Sequence, residues 1–148
     1  MAALYFYKIT NDGGAPCVMG GLLSLAICKP KIRKAAGRQD WLFGFGAQRL
    51  GERLIYVAEV TDKQYQGNYY RRPEFADRPD RIYEWRGEML RWRSGSCFHP
   101  AGKWAHKDIG DYPRYERAYV LLSSNFRYFG KECLGRMEGT LPGTPRAR

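Results

Sequence analysis

Leu54-Ile55-Tyr56-Val57-Ala58-Glu59-Val60-Thr61 is the stretch on which the fold turns. It is rich in β-branched and aromatic residues and holds neither Gly nor Pro, so it reads as a strand. Side chains alternate along a strand, so Leu54, Tyr56, Ala58 and Val60 share one face, and Ile55, Val57, Glu59 and Thr61 the other. Apolar residues on both faces near its start place it centrally, covered on both sides.

Working outward, residues 40–46 form a second strand, Asp-Trp-Leu-Phe-Gly-Phe-Gly. Residues 4–10 form a first one, ended by the turn-forming run Asn11-Asp12-Gly13-Gly14-Ala15-Pro16. The apolar residues 22–28 fit a strand or a buried helical turn. Pro30 suits the first position of a short helix over 30–36, with Gly37 as its C-terminal cap. Asp62 caps a further helix over 62–70. Residues 71–81 read as an ordered surface loop. Residues 82–85 and 89–92 flank Arg86-Gly87-Glu88 as a hairpin, with Trp85 and Trp92 as a cross-strand pair. A long connection, 94–113, holds both histidines, and two last strands occupy 118–122 and 126–129. The expected class is α+β: a mostly antiparallel, curled sheet or partial β-barrel with short helices, in one domain over 1–134. Residues 135–148 lack an apolar pattern and read as a disordered tail.

The chain has 148 residues and carries 25 Lys and Arg against 15 Asp and Glu, a net charge of +10. Such a surface attracts polyanions, and the 15% aromatic content offers rings that can stack on bases. No apolar run approaches the length of a membrane span, so the expected partner is a nucleotide or nucleic acid, DNA favoured, and not a membrane. Cys17, Cys28, Cys97 and Cys133 show no metal-type spacing and follow no secretory signal. They read as reduced thiols in a cytoplasm. No metal site and no cofactor motif is expected; Gly44-Phe45-Gly46 is too short to be a dinucleotide loop.

Four groups of residues can carry chemistry. From Lys29 through Arg38 stand five basic residues and no acid. Lys29, Lys31 and Arg33, at the start of the expected helix, form the phosphate-contacting edge of a ligand site. Asp12, among flexible glycines, can accept from a base or a ribose hydroxyl. Ser96-Cys97-Phe98-His99, with His106, Asp108 and Asp111 downstream, supplies acid–base or nucleophile candidates. Cys97 and His99 lie two apart and would share a face of a strand. A hydrogen-bonding His99 in a ligand pocket is the preferred reading. Of the tryptophans, Trp41 is the expected core residue, and one or two can wall a base.

These strings resemble the second type of nucleotide modification associated domain. The resemblance rests on residues 10–16, Cys28-Lys29-Pro30-Lys31-Ile32-Arg33 and Asp40-Trp41. It continues through residues 54–61 and 77–83, Lys107-Asp108-Ile109, Val120-Leu121-Leu122-Ser123 and residues 126–130. Gln39-Asp40 departs from it, since Gly is expected before Asp. The family occurs in bacteria and their phages and is tied by gene context to DNA base modification. The resemblance implies a role near modified nucleotides. Joined to the reading of the residues, it gives the leading expectation: a module that binds a modified base or nucleotide through Lys29, Lys31, Arg33, Asp12, Trp41, His99 and Ser123. Two alternatives stand beside it: an enzyme of nucleotide or DNA base modification using His99, Asp12 or Cys97, and a phage–host interaction protein. The order of elements is also similar to the small barrels of the PUA, EVE and ASCH group, by analogy of arrangement.

Overall fold

A computed structural model describes residues 1–9, 16–47 and 53–129. The expected tail, the turn bearing Asp12, and Cys133 lie outside the described residues. Among the described residues the strands are, in order, β1 (Leu4–Ile9), β2 (Cys17–Met19), β3 (Leu22–Leu25), β4 (Trp41–Gly46), β5 (Leu54–Glu59), β6 (Asp62–Gln64), β7 (Tyr83–Arg86), β8 (Met89–Trp92), β9 (Val120–Ser123) and β10 (Asn125–Tyr128). Helix α1 (Pro30–Ala35) follows β3, and α2 (Ala105–Asp108) precedes β9.

One sheet has the order β1-β4-β5-β10 and a second β2-β3-β9-β6, with β7-β8 as a separate hairpin. β1 runs parallel to β4; the other pairs are antiparallel. The chain from β5 to β6 and the chain from β9 to β10 each pass from one sheet to the other. They stay in register across the corner: Asn125 faces Glu59 on one side and Leu122 faces Asp62 on the other. Thr61 N donates to Leu122 O at 2.8 Å between them. This bent ribbon folds the two sheets face to face, and they do not close into a barrel.

The second sheet is a shared wall, which explains why β9 is buried at all four positions. Leu121 joins Leu23, Leu25, Leu42, Tyr56, Ala58 and Phe126 between the two sheets. Val120 and Leu122 face the other way, onto Tyr69, Tyr70, Tyr83, Ile82 and Ile109. A strand covered on both faces needs a continuous apolar run. β5 lies inside the first sheet as its alternation requires, with Tyr56 and Ala58 fully buried, as is Val60 just beyond the strand's end.

Several local expectations give way to tertiary contacts. Residues 62–64 pair with β9 as a strand instead of opening a helix, and only a 3-10 turn, Asn68–Tyr70, follows. Gly37 does not cap α1: the C-cap is Ala36, in extended conformation, and Gly37 N donates instead to Asp40 Oδ2 at 2.8 Å. In the hairpin Tyr83 faces Trp92 and Trp85 faces Leu90, so the two tryptophans are not a cross-strand pair. The loop over 71–81 is not all surface. Arg78 and Asp80 are buried, with Asp80 accepting from Ser24 Oγ and Tyr69 OH, each at 2.6 Å.

Candidate functional site

α1 begins abruptly. Cys28 and Lys29, which join β3 to the helix, both take left-handed backbone, with φ of 60° and 46°. Pro30 then enters at the first helical position, where its missing N–H costs nothing. Left-handed backbone at non-glycine residues is unfavourable and persists where surrounding contacts enforce it.

The enforcing contacts come from Arg33. Its side chain is fully buried. Nε donates to Cys28 O at 2.6 Å. Nη1 donates to the carbonyls of Asp108, Arg117 and Tyr119 at 3.0, 2.7 and 2.8 Å, and Nη2 to that of Lys107 at 3.2 Å. The planar fork expected to reach phosphate is thus spent on backbone oxygens. It pins the turn at Cys28 to the end of α2 and to the approach to β9. Arg33 is a residue of the core, not of the ligand edge.

On the other side of this turn opens a cleft of about 1480 Å³. Its walls are the end of β1, the turn at Cys28 with the first residues of α1, the connection around His99, α2, and residues 116–119. Among the described residues, Lys8, Lys29, Lys31, Lys34, Lys107 and Arg117 line it, against the carboxylates of Asp108 and Glu116. Tyr7, Phe98, Trp104 and Tyr119 supply its aromatic surface. Trp104 is 40% exposed, with Lys103 Nζ and Lys107 Nζ 5.3 and 5.1 Å from its ring centre.

At the base of the cleft three side chains form a line. Cys28 Sγ lies 3.4 Å from His99 Nε2. His99 Nδ1 bonds Asp108 Oδ2. Asp108 is 1% exposed and accepts twice more, from Tyr83 OH at 2.5 Å and, through Oδ1, from Cys28 N at 3.1 Å. A carboxylate only accepts, so Nδ1 carries the proton on that side and Nε2 faces the sulfur. Burial works against charge on His99, but its hydrogen bonds to Asp108 and Cys28 and the negative charge of Asp108 prevail, and its pKa is lifted to about 9. The imidazole is therefore a strong acceptor for a proton from the thiol beside it. His99 also has left-handed backbone, φ 47°.

The model of nucleotide modification associated domain 2 matches residues 1–135. The chain belongs to that family. No curated protein and no solved structure matches it significantly. Membership ties the domain to nucleotide modification, and the cleft is where this family member gathers its cationic, aromatic and titratable side chains.

Of the residues singled out in the sequence, Lys29, Lys31, Cys97 and His99 line this cleft. Arg33 lies beneath it. Trp41 is half-buried on β4, whose core residue is Leu42, and does not reach the cleft. Ser123 is 1% exposed, and its hydroxyl is spent on the backbone of Asn125, donating to O at 2.9 Å and accepting from N at 3.1 Å. Cys97 is exposed and sits in a turn, not a strand; the thiol that meets His99 is Cys28. His106 is exposed and pairs with Asp111 at 2.9 Å, outside the cleft. Asp108, named beside His99 in the sequence, also lines the cleft; what sequence reasoning passed over is Cys28 as the partner of His99 and the role of Asp108 as the group behind it. Their signals were present: Cys28 opens the basic run, and Asp108 lies in the Lys107-Asp108-Ile109 string. Among the described residues, no three His, Cys, Asp or Glu side chains are gathered so as to hold a metal ion. No helix there is long and apolar enough to cross a membrane.

Proposed function

We propose that this domain binds a nucleotide or a segment of nucleic acid, DNA in preference, in the cleft above Cys28, within a cytoplasmic pathway of base modification. The observation that carries the reading is the charge of the walls. Among the described residues, six cationic side chains line the cleft against two carboxylates, and one of those, Asp108, is already held by His99, Tyr83 and Cys28 N. A concave surface of one sign with partly apolar walls concentrates ions of the other sign. Phosphates lie along the lysines, and the base, modified or not, meets Trp104 and the rim around His99.

The test is the pair Lys29→Gln and Lys31→Gln. Neither ammonium is part of the buried framework: Lys31 is exposed, and Lys29 Nζ lies 5.3 Å from the ring centre of Tyr7. Each lost charge-assisted contact weakens binding by roughly tenfold, so the double variant should bind a short DNA duplex or single strand about a hundredfold more weakly. The dependence of affinity on salt should also become shallower, because fewer counterions are released. Equal affinity and an equal slope in the double variant would refute the reading.

A further inference from the structure

We propose that Cys28 is a catalytic nucleophile, with His99 as its proton acceptor and Asp108 as the residue that orients His99, and that the site performs acyl transfer on an ester or amide carried by a nucleotide. The nucleophile stands on geometry alone; the nucleotide-borne substrate rests on the reading of the cleft given above.

A thiol, an imidazole and a carboxylate in line are the parts of nucleophilic catalysis: a nucleophile within reach of a base, and the base held by a third group. Here the spacing is 3.4 Å from Sγ to Nε2, with Nδ1 bonded to a carboxylate that is itself almost fully buried. The framework fixes both ends of the line. Asp108 Oδ1 holds Cys28 N, and Arg33 grips the carbonyls of Cys28 and Asp108. Cys28 and His99 both carry left-handed backbone, and strain of this kind collects at sites where a side chain must be aimed.

A purely architectural role fits less well. The cluster of Ser24, Asp80, Tyr69 and Arg78 shows what such a role looks like in this molecule. It has a comparable density of hydrogen bonds, but Ser24, Tyr69 and Asp80 are each 0% exposed and none of the four lines the cleft. Cys28 and His99, in contrast, both line an open cleft.

The proposed chemistry runs in two balanced steps. Sulfur attacks the carbonyl carbon as thiolate, its proton held on His99 Nε2. A C–S bond forms, the C–O or C–N bond to the leaving alcohol or amine breaks, and Nε2 hands its proton to that group. Water or an acceptor amine then attacks the thioester and gives a proton to Nε2, the C–S bond breaks, and the sulfur is restored. The proton on Nδ1 stays on that nitrogen throughout and is donated to Asp108 Oδ2. The cationic walls oppose the negative charge that develops on the carbonyl oxygen.

The whole chain provides its own control, because Cys97 is exposed and lies outside the line. The chain is treated near pH 6.5 with iodoacetamide or with p-nitrophenyl acetate, and adducts are mapped by mass spectrometry. Cys28 should be alkylated and acetylated at least about tenfold faster than Cys97, since an activated thiol reacts below the range of an ordinary one. His99→Gln should bring Cys28 down to the rate of Cys97, with folding checked by circular dichroism. A Cys28 no faster than Cys97 in the unsubstituted chain would overturn the nucleophile, whatever the fate of the variant. An unchanged Cys28 rate in folded His99→Gln would overturn the role of His99. A DNA oligonucleotide should protect Cys28 from both reagents. A fast Cys28 that no oligonucleotide or mononucleotide protects would leave the nucleophile standing and overturn the nucleotide-borne substrate.

Discussion

Replacing Arg33 by Met removes the guanidinium but keeps an unbranched stem of similar length, so it isolates the hydrogen bonds from the packing. Arg33 reaches five backbone carbonyls: Cys28, Asp108, Arg117, Tyr119 and Lys107. Nη1 faces three of them with two hydrogens, so roughly four donors are usefully spent. Hydrogen bonds to a charged group contribute about 1.5–3 kcal/mol each. Only the one to Asp108 O is wholly buried, and water can reach the others once the fork is gone. The cost should therefore fall short of the full sum, at about 3–5 kcal/mol. That is about a fifth or more of the stability of an ordinary domain. Arg33→Lys restores one charge and should recover part of the loss, though an ammonium cannot reproduce the planar fork. Urea unfolding followed by tryptophan fluorescence reads both variants. A cost under about 1 kcal/mol for Arg33→Met would refute the structural role. So would normal stability coupled to weakened DNA binding, which is the outcome the basic run implies if Arg33 points outward.

Gly44 lies beneath Tyr56, and a Cβ there would meet ring carbons at 2.3 and 2.6 Å. Gly44→Ala should thus cost about 1–3 kcal/mol, read as a lowered melting temperature, and a neutral variant would show that the two inner faces have room to give. His99 titrates near 9 in the folded chain, above its ordinary 6.5. The folded state holds this proton more tightly, so its stabilising effect is complete below about pH 6.5 and is lost as pH rises through about 9. The urea midpoint of the unsubstituted chain, relative to that of His99→Gln, should fall across that window; a constant difference would show that His99 has no raised pKa.

Much of the framework is legible locally. β5 was readable because alternation and β-branched residues act over a few positions, and its inner place in the sheet agrees with that reading; cover on both faces does not, since Ile55, Val57 and Glu59 are only half-buried and the strand buried at every position is β9. Pro30 announced the start of α1, and Gly87 the turn of the hairpin. Asp62 misled: as a cap it is compatible with a helix, but β9 offers residues 62–64 a ladder of hydrogen bonds, and the ladder prevails.

What the sequence determines by itself is the family, the run of strands around residues 54–61, and a cationic, aromatic-rich composition. Tertiary structure alone decides which charges remain on the surface and which thiol meets the imidazole. Arg33 and Lys31 are two positions apart in one basic run, yet they lie on different sides of α1, and one is buried and the other exposed. Cys97 is two residues from His99, but the thiol that reaches it is Cys28, 71 residues away. Proximity along the chain governs local conformation. The line from Cys28 through His99 to Asp108 is instead made by the buried fork of Arg33, which draws the end of β3 and the end of α2 together across the core.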